Sequence, residues 1–135
     1  MTTSARLDAF GIVVVDLKRA VDFYRVLGAP FPEGAEASEH GHAEATLAGG
    51  VRFMIDTEAS VKTFNPDWRR AAGMSGASLA FHCSGGNDVD AIYELAIAAG
   101  GRRVKDPWNA FWGQRYALLS DPDGNPVDLY AELGA

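Results

Sequence analysis

Hydrophobic and polar positions along the chain follow two periods in turn. Residues 10–15 form a short β-branched run that stops at Asp16, the pattern of a buried strand. Beyond Asp16 the period lengthens, and Leu17, Ala20, Val21, Tyr24 and Leu27 fall on one face of a predicted helix. Asp16 suits its N-cap, and Gly28 stands where a left-handed residue would end it. Residues 29–39, rich in Pro, Gly, Ala and Glu, read as irregular chain with room for a short edge strand. Residues 42–47 and 51–56 read as a hairpin turning on Gly49-Gly50. The stretch 58–76 is less regular, with a loop or short helical turn beginning near Pro66. The order then returns: a strand over 78–83, a glycine-containing loop over 84–87, a helix over 88–99 and a short strand over 102–105. A second hairpin, 113–120 with 125–133, closes on Asp121-Pro122-Asp123-Gly124, where proline presets one turn torsion and glycine suits the last position.

The return is a repeat. Asp16 to Gly28 and Asp88 to Gly100 both span 12 positions, at an offset of 72, and the hairpin glycines Gly50 and Gly124 differ by 74. A shared offset for strand, helix and hairpin marks a duplicated module. The predicted fold class is α+β: two tandem βαβββ modules whose curved mixed sheets surround a cavity, with the helices outside. The whole of 1–135 reads as a single domain, with module 1 over about 5–58, a linker over about 59–76 and module 2 over about 77–135.

Composition narrows the function classes. With 47% hydrophobic and 22% charged residues over 135 positions, the chain can bury a core without cross-links. A net charge of −6 argues against nucleic acid or an anionic membrane surface as partner. Cys83 is the one cysteine, so an intrachain disulfide is impossible, which suits a reducing, cytoplasmic setting. Its place in an apolar strand run makes it a buried filler rather than a nucleophile. The longest apolar stretch, residues 12–15, is far too short to span a bilayer, and residues 1–8 lack the apolar region of a signal peptide.

Residues 111–130, from Phe111-Trp112-Gly113-Gln114 through Asp121-Pro122-Asp123-Gly124 to Asp128-Leu129-Tyr130, resemble the closing hairpin of the glyoxalase/bleomycin-resistance (vicinal oxygen chelate) superfamily. Val15-Asp16-Leu17, Phe23-Tyr24 and Leu27-Gly28 resemble its first strand-helix step, so the likeness covers nearly the whole chain. It implies the fold more than the activity, because the superfamily includes lyases, dioxygenases, epimerases, thiol transferases and drug binders. It also implies that enzymes among its members hold a divalent metal with inward side chains from both modules. Carried onto this sequence, those positions fall at Ala9, Met54, Ser78 and Asp128. Only Asp128 keeps a carboxylate, although Asp56 lies two residues from Met54, so the expectation is a lost metal site and no cofactor. The turn does not read as a calcium loop either, since Pro126 takes the place that needs glycine.

Candidate ligand contacts follow from alternation. Trp112, Gln114, Tyr116 and Leu118 share one strand face, which the resemblance turns toward the cavity. Trp108, Phe111, Phe64 and Trp68 from flanking loops, Tyr130 beside Asp128, and Met54 would complete an aromatic lining. Flat, rigid rings of this kind suit a bulky, partly aromatic small molecule. His82 faces the same side and is a weak candidate for a general base, a hydrogen-bonded sheet histidine being the simpler reading. His40 and His42 read as an exposed loop pair. The leading expectation is a metal-free binder resembling bleomycin-resistance proteins, with antibiotic sequestration as the role. The alternative is a metal-dependent glyoxalase-like lyase or dioxygenase, drawing ligands from His40, His42, His82 and Asp128. The resemblance further implies a homodimer.

Overall fold

A computed structural model describes residues 4–73 and 75–134. The first module runs β1 (Ala9–Val14), α1 (Leu17–Val26), β2 (His42–Thr46) and β3 (Arg52–Thr57), and α2 (Glu58–Phe64) leads into the linker. The second runs β4 (Leu79–His82), α3 (Gly86–Ala98), β5 (Arg102–Asn109), β6 (Gln114–Ser120) and β7 (Pro126–Glu132). Both sheets are mixed and unclosed. The first has the order β1-β3-β2 and the second β4-β7-β6-β5. In each, the strand before the helix lies parallel to the last strand of its module, Gly11 opposite Met54 and Ala80 opposite Asp128. The α+β architecture read from the repeat is the one observed.

Helix α1 forms for the reasons visible in the chain. The Asp16 carboxylate accepts from Arg19 N at 3.1 Å, and Gly28 takes φ +92° just beyond the end. Its buried face, Leu17, Ala20, Val21, Phe23 and Tyr24, covers one side of the first sheet. The ring of Tyr24 meets Phe53 edge-on at 5.0 Å, and Phe53 stacks on Phe10 at 4.9 Å. Val89, Tyr93 and Ala96 of α3 do the same for the second sheet against Ala117, Leu119, Val127 and Leu129. Both sheets therefore bury one face under a helix and leave the other open. Cys83 is buried as expected, and burial pushes its thiol up.

Four elements depart from the sequence reading. Residues 29–39 carry no strand. They hold a short 3-10 helix, Ala35–Ala37, and Arg25 pins the segment through Glu36 at 2.9 Å and the Pro32 carbonyl at 2.6 Å. Pro30 and Pro32 lack the N–H that an edge strand offers a neighbour. Helix α2 lies before Pro66, not after it, because the Thr57 hydroxyl caps it by accepting from Ser60 N at 3.1 Å. Helix α3 starts at Gly86, two residues ahead of the predicted Asp88. Strand β5 continues to Asn109 past Pro107, where shifts of register on a sheet edge accommodate the missing donor.

Three hydrogen bonds from the first module to the Asp121–Asp123 turn tie the modules. The Tyr24 hydroxyl donates to the buried Asp121 carboxylate at 2.7 Å. Asp123 accepts from Val15 N at 2.9 Å and from Arg19 at 3.3 Å. Asp121 also accepts from Asp123 N, Asn125 N and the Asn125 side chain, so the predicted turn is a polar knot at the junction as well as a reversal of the chain.

Candidate functional site

The open face of the second sheet carries most of the residues singled out from the sequence. Period-two alternation places Gln114, Tyr116 and Leu118 of β6 beside Asp128, Tyr130 and Glu132 of β7, with Ala80 and His82 on β4. Tyr116 and Tyr130 stack at 5.9 Å, and His82 lies 5.0 Å from the Tyr130 ring. Trp108 meets Tyr116 at 5.6 Å and Trp112 at 6.1 Å, both edge-on, and Trp112 meets Tyr116 at 5.4 Å. Trp108 belongs to β5 rather than to a loop. Trp112 lies on the turn ahead of β6 rather than in the strand, and Gly113, at φ +94°, reverses the chain behind it.

A polar chain runs along the same face. The indole N–H of Trp112 donates to Gln114 at 2.7 Å, and the Gln114 amide donates to Glu132 at 3.2 Å. Glu132 bonds His82 Nε2 at 2.7 Å, so His82 is a hydrogen-bonded sheet histidine on an exposed surface. Beside it the Tyr116 hydroxyl donates to Asp128 at 2.5 Å. Burial, then the Asp128 bond and charge, push the Tyr116 hydroxyl up to about 12, which keeps it a donor at neutral pH. Lys105 places its ammonium 4.0 Å from the Trp108 ring centroid. Glu132 and Lys105 escaped the sequence reading. Glu132 was within reach of it, being four positions beyond Asp128 on the same strand face, whereas the contact of Lys105 with Trp108 depended on the unforeseen extension of β5 past residue 105.

Of the remaining candidates, Phe111 stays beside Trp112, with ring centroids 5.1 Å apart, and the others lie elsewhere. Met54 sits on the open face of the first sheet, opposite Gly11 and Glu44. Phe64 ends α2 with 72% of its surface exposed, and Phe111 is 97% exposed at the β5–β6 turn. Trp68 follows α2 under the Arg70 guanidinium, and with His82 it borders a separate cleft of about 1440 Å3 between β1 and β4. His42 is not a loop residue: it starts β2, with Nδ1 2.7 Å from Asp56 and Nε2 2.9 Å from Glu44. The Glu44 hydrogen bond, helped by Asp56 against partial burial, holds the imidazole above its usual pKa.

The model of the Glyoxalase/Bleomycin resistance protein/Dioxygenase superfamily matches residues 6–129. The chain belongs to that superfamily. Among solved structures it is similar to a superfamily enzyme from Burkholderia phytofirmans PsJN, with TM-score 0.80, 21% identity, and coverage of 96% of this chain and 100% of that one. A glyoxalase-related enzyme from Fulvimarina pelagi superposes with TM-score 0.78 at 15% identity, over 94% of this chain and 88% of the other. A superfamily protein from Nocardioides gives TM-score 0.66 at 19% identity, over 100% and 88% respectively. At these identities the likeness is one of fold. No curated protein matches the chain.

The metal positions of the superfamily can be tested on this geometry. Ala9 and Met54 offer no oxygen or imidazole, which leaves Asp128, already accepting from Tyr116, and the hydroxyl of Ser78. A divalent ion needs more donors than that pair supplies. The two ring nitrogens of His42 point to separate carboxylates rather than to a common centre. Among the described residues no three His, Cys, Asp or Glu side chains converge to hold an ion. The donor set does not fit the metal used by enzymes of this superfamily.

Proposed function

We propose that this superfamily member binds a bulky, partly aromatic small molecule on the ring-bearing face of its second sheet, with no metal ion and no bond made or broken. One observation carries the reading. Trp108, Trp112, Tyr116 and Tyr130 form a continuous aromatic surface, and Asp128 and Glu132 stand among the rings. The rings supply flat apolar area at low ordering cost, and the carboxylates and Gln114 supply direction. The role that follows is sequestration of an antibiotic, as in the bleomycin-resistance branch of the superfamily. Among the described residues no helix is long and apolar enough to cross a membrane. A single cysteine, with no intrachain disulfide possible, suits a cytoplasmic setting for this role.

Half-open aromatic faces call for a cover. Trp112 is 49% exposed and Phe111 almost wholly so, more apolar surface in one place than a monomer needs. A homodimer in which a second copy closes over this face would turn it into a cavity.

The test is titration of tryptophan fluorescence with bleomycin-type, anthraquinone and peptide antibiotics in the presence of a chelator. Saturable quenching is expected, and its absence across the panel removes the reading. Metal analysis separates the alternative of a metal-dependent lyase or dioxygenase: stoichiometric metal that disappears in Asp128→Ala would establish that alternative instead.

A further inference from the structure

The cleft between the two modules is bordered by strand edges. Arg52 N donates to the Asp8 carbonyl at 3.0 Å. In a parallel ladder each residue sends its N–H and C=O to the same neighbour, so this bond assigns the even-numbered residues of β1 to β3. Ala9, Gly11 and Val13 then turn their backbone groups away from the sheet. In β4 the parity is reversed: Cys83 N donates to the Tyr130 carbonyl at 2.7 Å, so the odd-numbered residues pair with β7 and Ser78, Ala80 and His82 turn outward. Two contacts confirm the direction on β1: the Val13 carbonyl accepts from Arg70 at 2.9 Å, and Val15 N donates to Asp123 at 2.9 Å. Among the described residues Gly11, Ala80 and His82 have no hydrogen-bond partner for these outward groups.

An outward strand edge is a template for another strand, and addition of a strand is a standard mode of peptide recognition. At about 1440 Å3 the cleft is larger than the roughly 300–1,000 Å3 of a drug-sized pocket. Phe10, Leu27, Leu47 and Leu79 give it apolar walls. Its lining charges are Arg69, Arg70 and Asp123. Glu58 and the Val13 carbonyl hold Arg70, and Arg19 holds Asp123. Arg69 has no ion pair among the described residues, so the unmatched charge of the cleft is positive.

We propose that the cleft between β1 and β4 binds an extended acidic peptide segment, whose backbone pairs with the outward edges of these strands and whose carboxylate meets Arg69. The cleft meets the ring-bearing face only at Ala80 and His82 and takes in none of the rings of Trp108, Trp112, Tyr116 and Tyr130, so its failure would leave the small-molecule reading standing.

The probe is the peptide acetyl-Thr-Val-Thr-Val-Asp with a free C-terminus, titrated into 15N-labelled full-length protein. Saturable amide shifts are expected at Gly11, Val13, Ala80 and His82. The same peptide N-methylated at both valines loses two donors and should bind about tenfold more weakly. Arg69→Glu should weaken the acidic peptide several-fold and abolish its advantage over the C-terminally amidated form with Asn in place of Asp. The proposal is overturned by equal affinity of the N-methylated peptide, by shifts centred on Tyr116 and Tyr130, or by no shift at millimolar peptide. It is also overturned if the Gly11, Val13, Ala80 and His82 amides shift on dilution of the protein alone, as a second copy leaves these edges, and peptide at millimolar concentration cannot compete with that copy.

Discussion

The phenol of Tyr24 lies in the core, yet its hydroxyl reaches Asp121 across the junction of the modules. Burial, reinforced by the Asp121 charge, raises its pKa far above the ordinary tyrosine range, so it stays a donor at any working pH. Tyr24→Phe keeps the ring and removes one bond to a buried carboxylate, at an expected cost of about 1.5–3 kcal/mol in urea denaturation. His42 makes a different prediction. Its pKa is raised in the fold, so its ion pairs with Glu44 and Asp56 stabilise fully below the unfolded value of 6.5 and fade as pH rises through the folded value. His42→Gln should remove that loss of stability above neutrality, as read from melting temperature against pH. Asp128→Asn keeps shape and should weaken cationic ligands more than neutral ones, because only the former gain from the charge.

Elements were legible where one local signal dominated. Helix α1 has a cap, an apolar stripe and a terminal glycine in agreement. Helix α2 and the long β5 had conflicting signals, because Pro66 and Pro107 are strong punctuators by themselves. Tertiary pairing overrode Pro107, and the Thr57 cap moved the helix ahead of Pro66. The turn from α3 to β5 depends on a close approach that no local pattern reveals. A Cβ on Gly101 would come within 2.9 Å of the Phe23 ring and 3.0 Å of the Ala96 carbonyl. Gly101→Ala should therefore destabilise by about 1–3 kcal/mol through overpacking, as measured by thermal melting. On the β5–β6 turn, Trp112→Ala removes a ring that contacts Trp108 and Tyr116 and should weaken aromatic ligands by about 1–2 kcal/mol in the fluorescence titration.

At the scale of the whole molecule, each sheet buries one face under its helix and leaves the other without a cover. A dimer of about twice 14.4 kDa is the expected mass in light scattering at micromolar concentration. A dimer that buries the aromatic face should also lower the exposure of Trp112 to a soluble quencher as protein concentration rises. A monomer with freely quenched Trp112 would mean that ligand meets an open sheet.

The capped first helix, the polar turn at Asp121 and the alternation along β6 and β7 were all readable in the chain, because each is set by neighbours within a few positions, and the duplication was readable because these local signals recur at one offset. Alternation put Gln114 and Tyr116 on one strand face, the family resemblance joined Asp128 and Tyr130 to it, and the structure keeps the four together. What linear order could not decide is how distant segments meet. The missing strand after α1 followed from Arg25 pinning residues 31–36. The grouping of Trp108 with Tyr116, and the separation of Trp68 from both, depended on the register of β5 and the path of the linker. The outward edges of β1 and β4 arise only when each sheet has formed, and the cleft between them only when the two modules face one another, since an edge is a property of the assembled sheet and not of any residue in it.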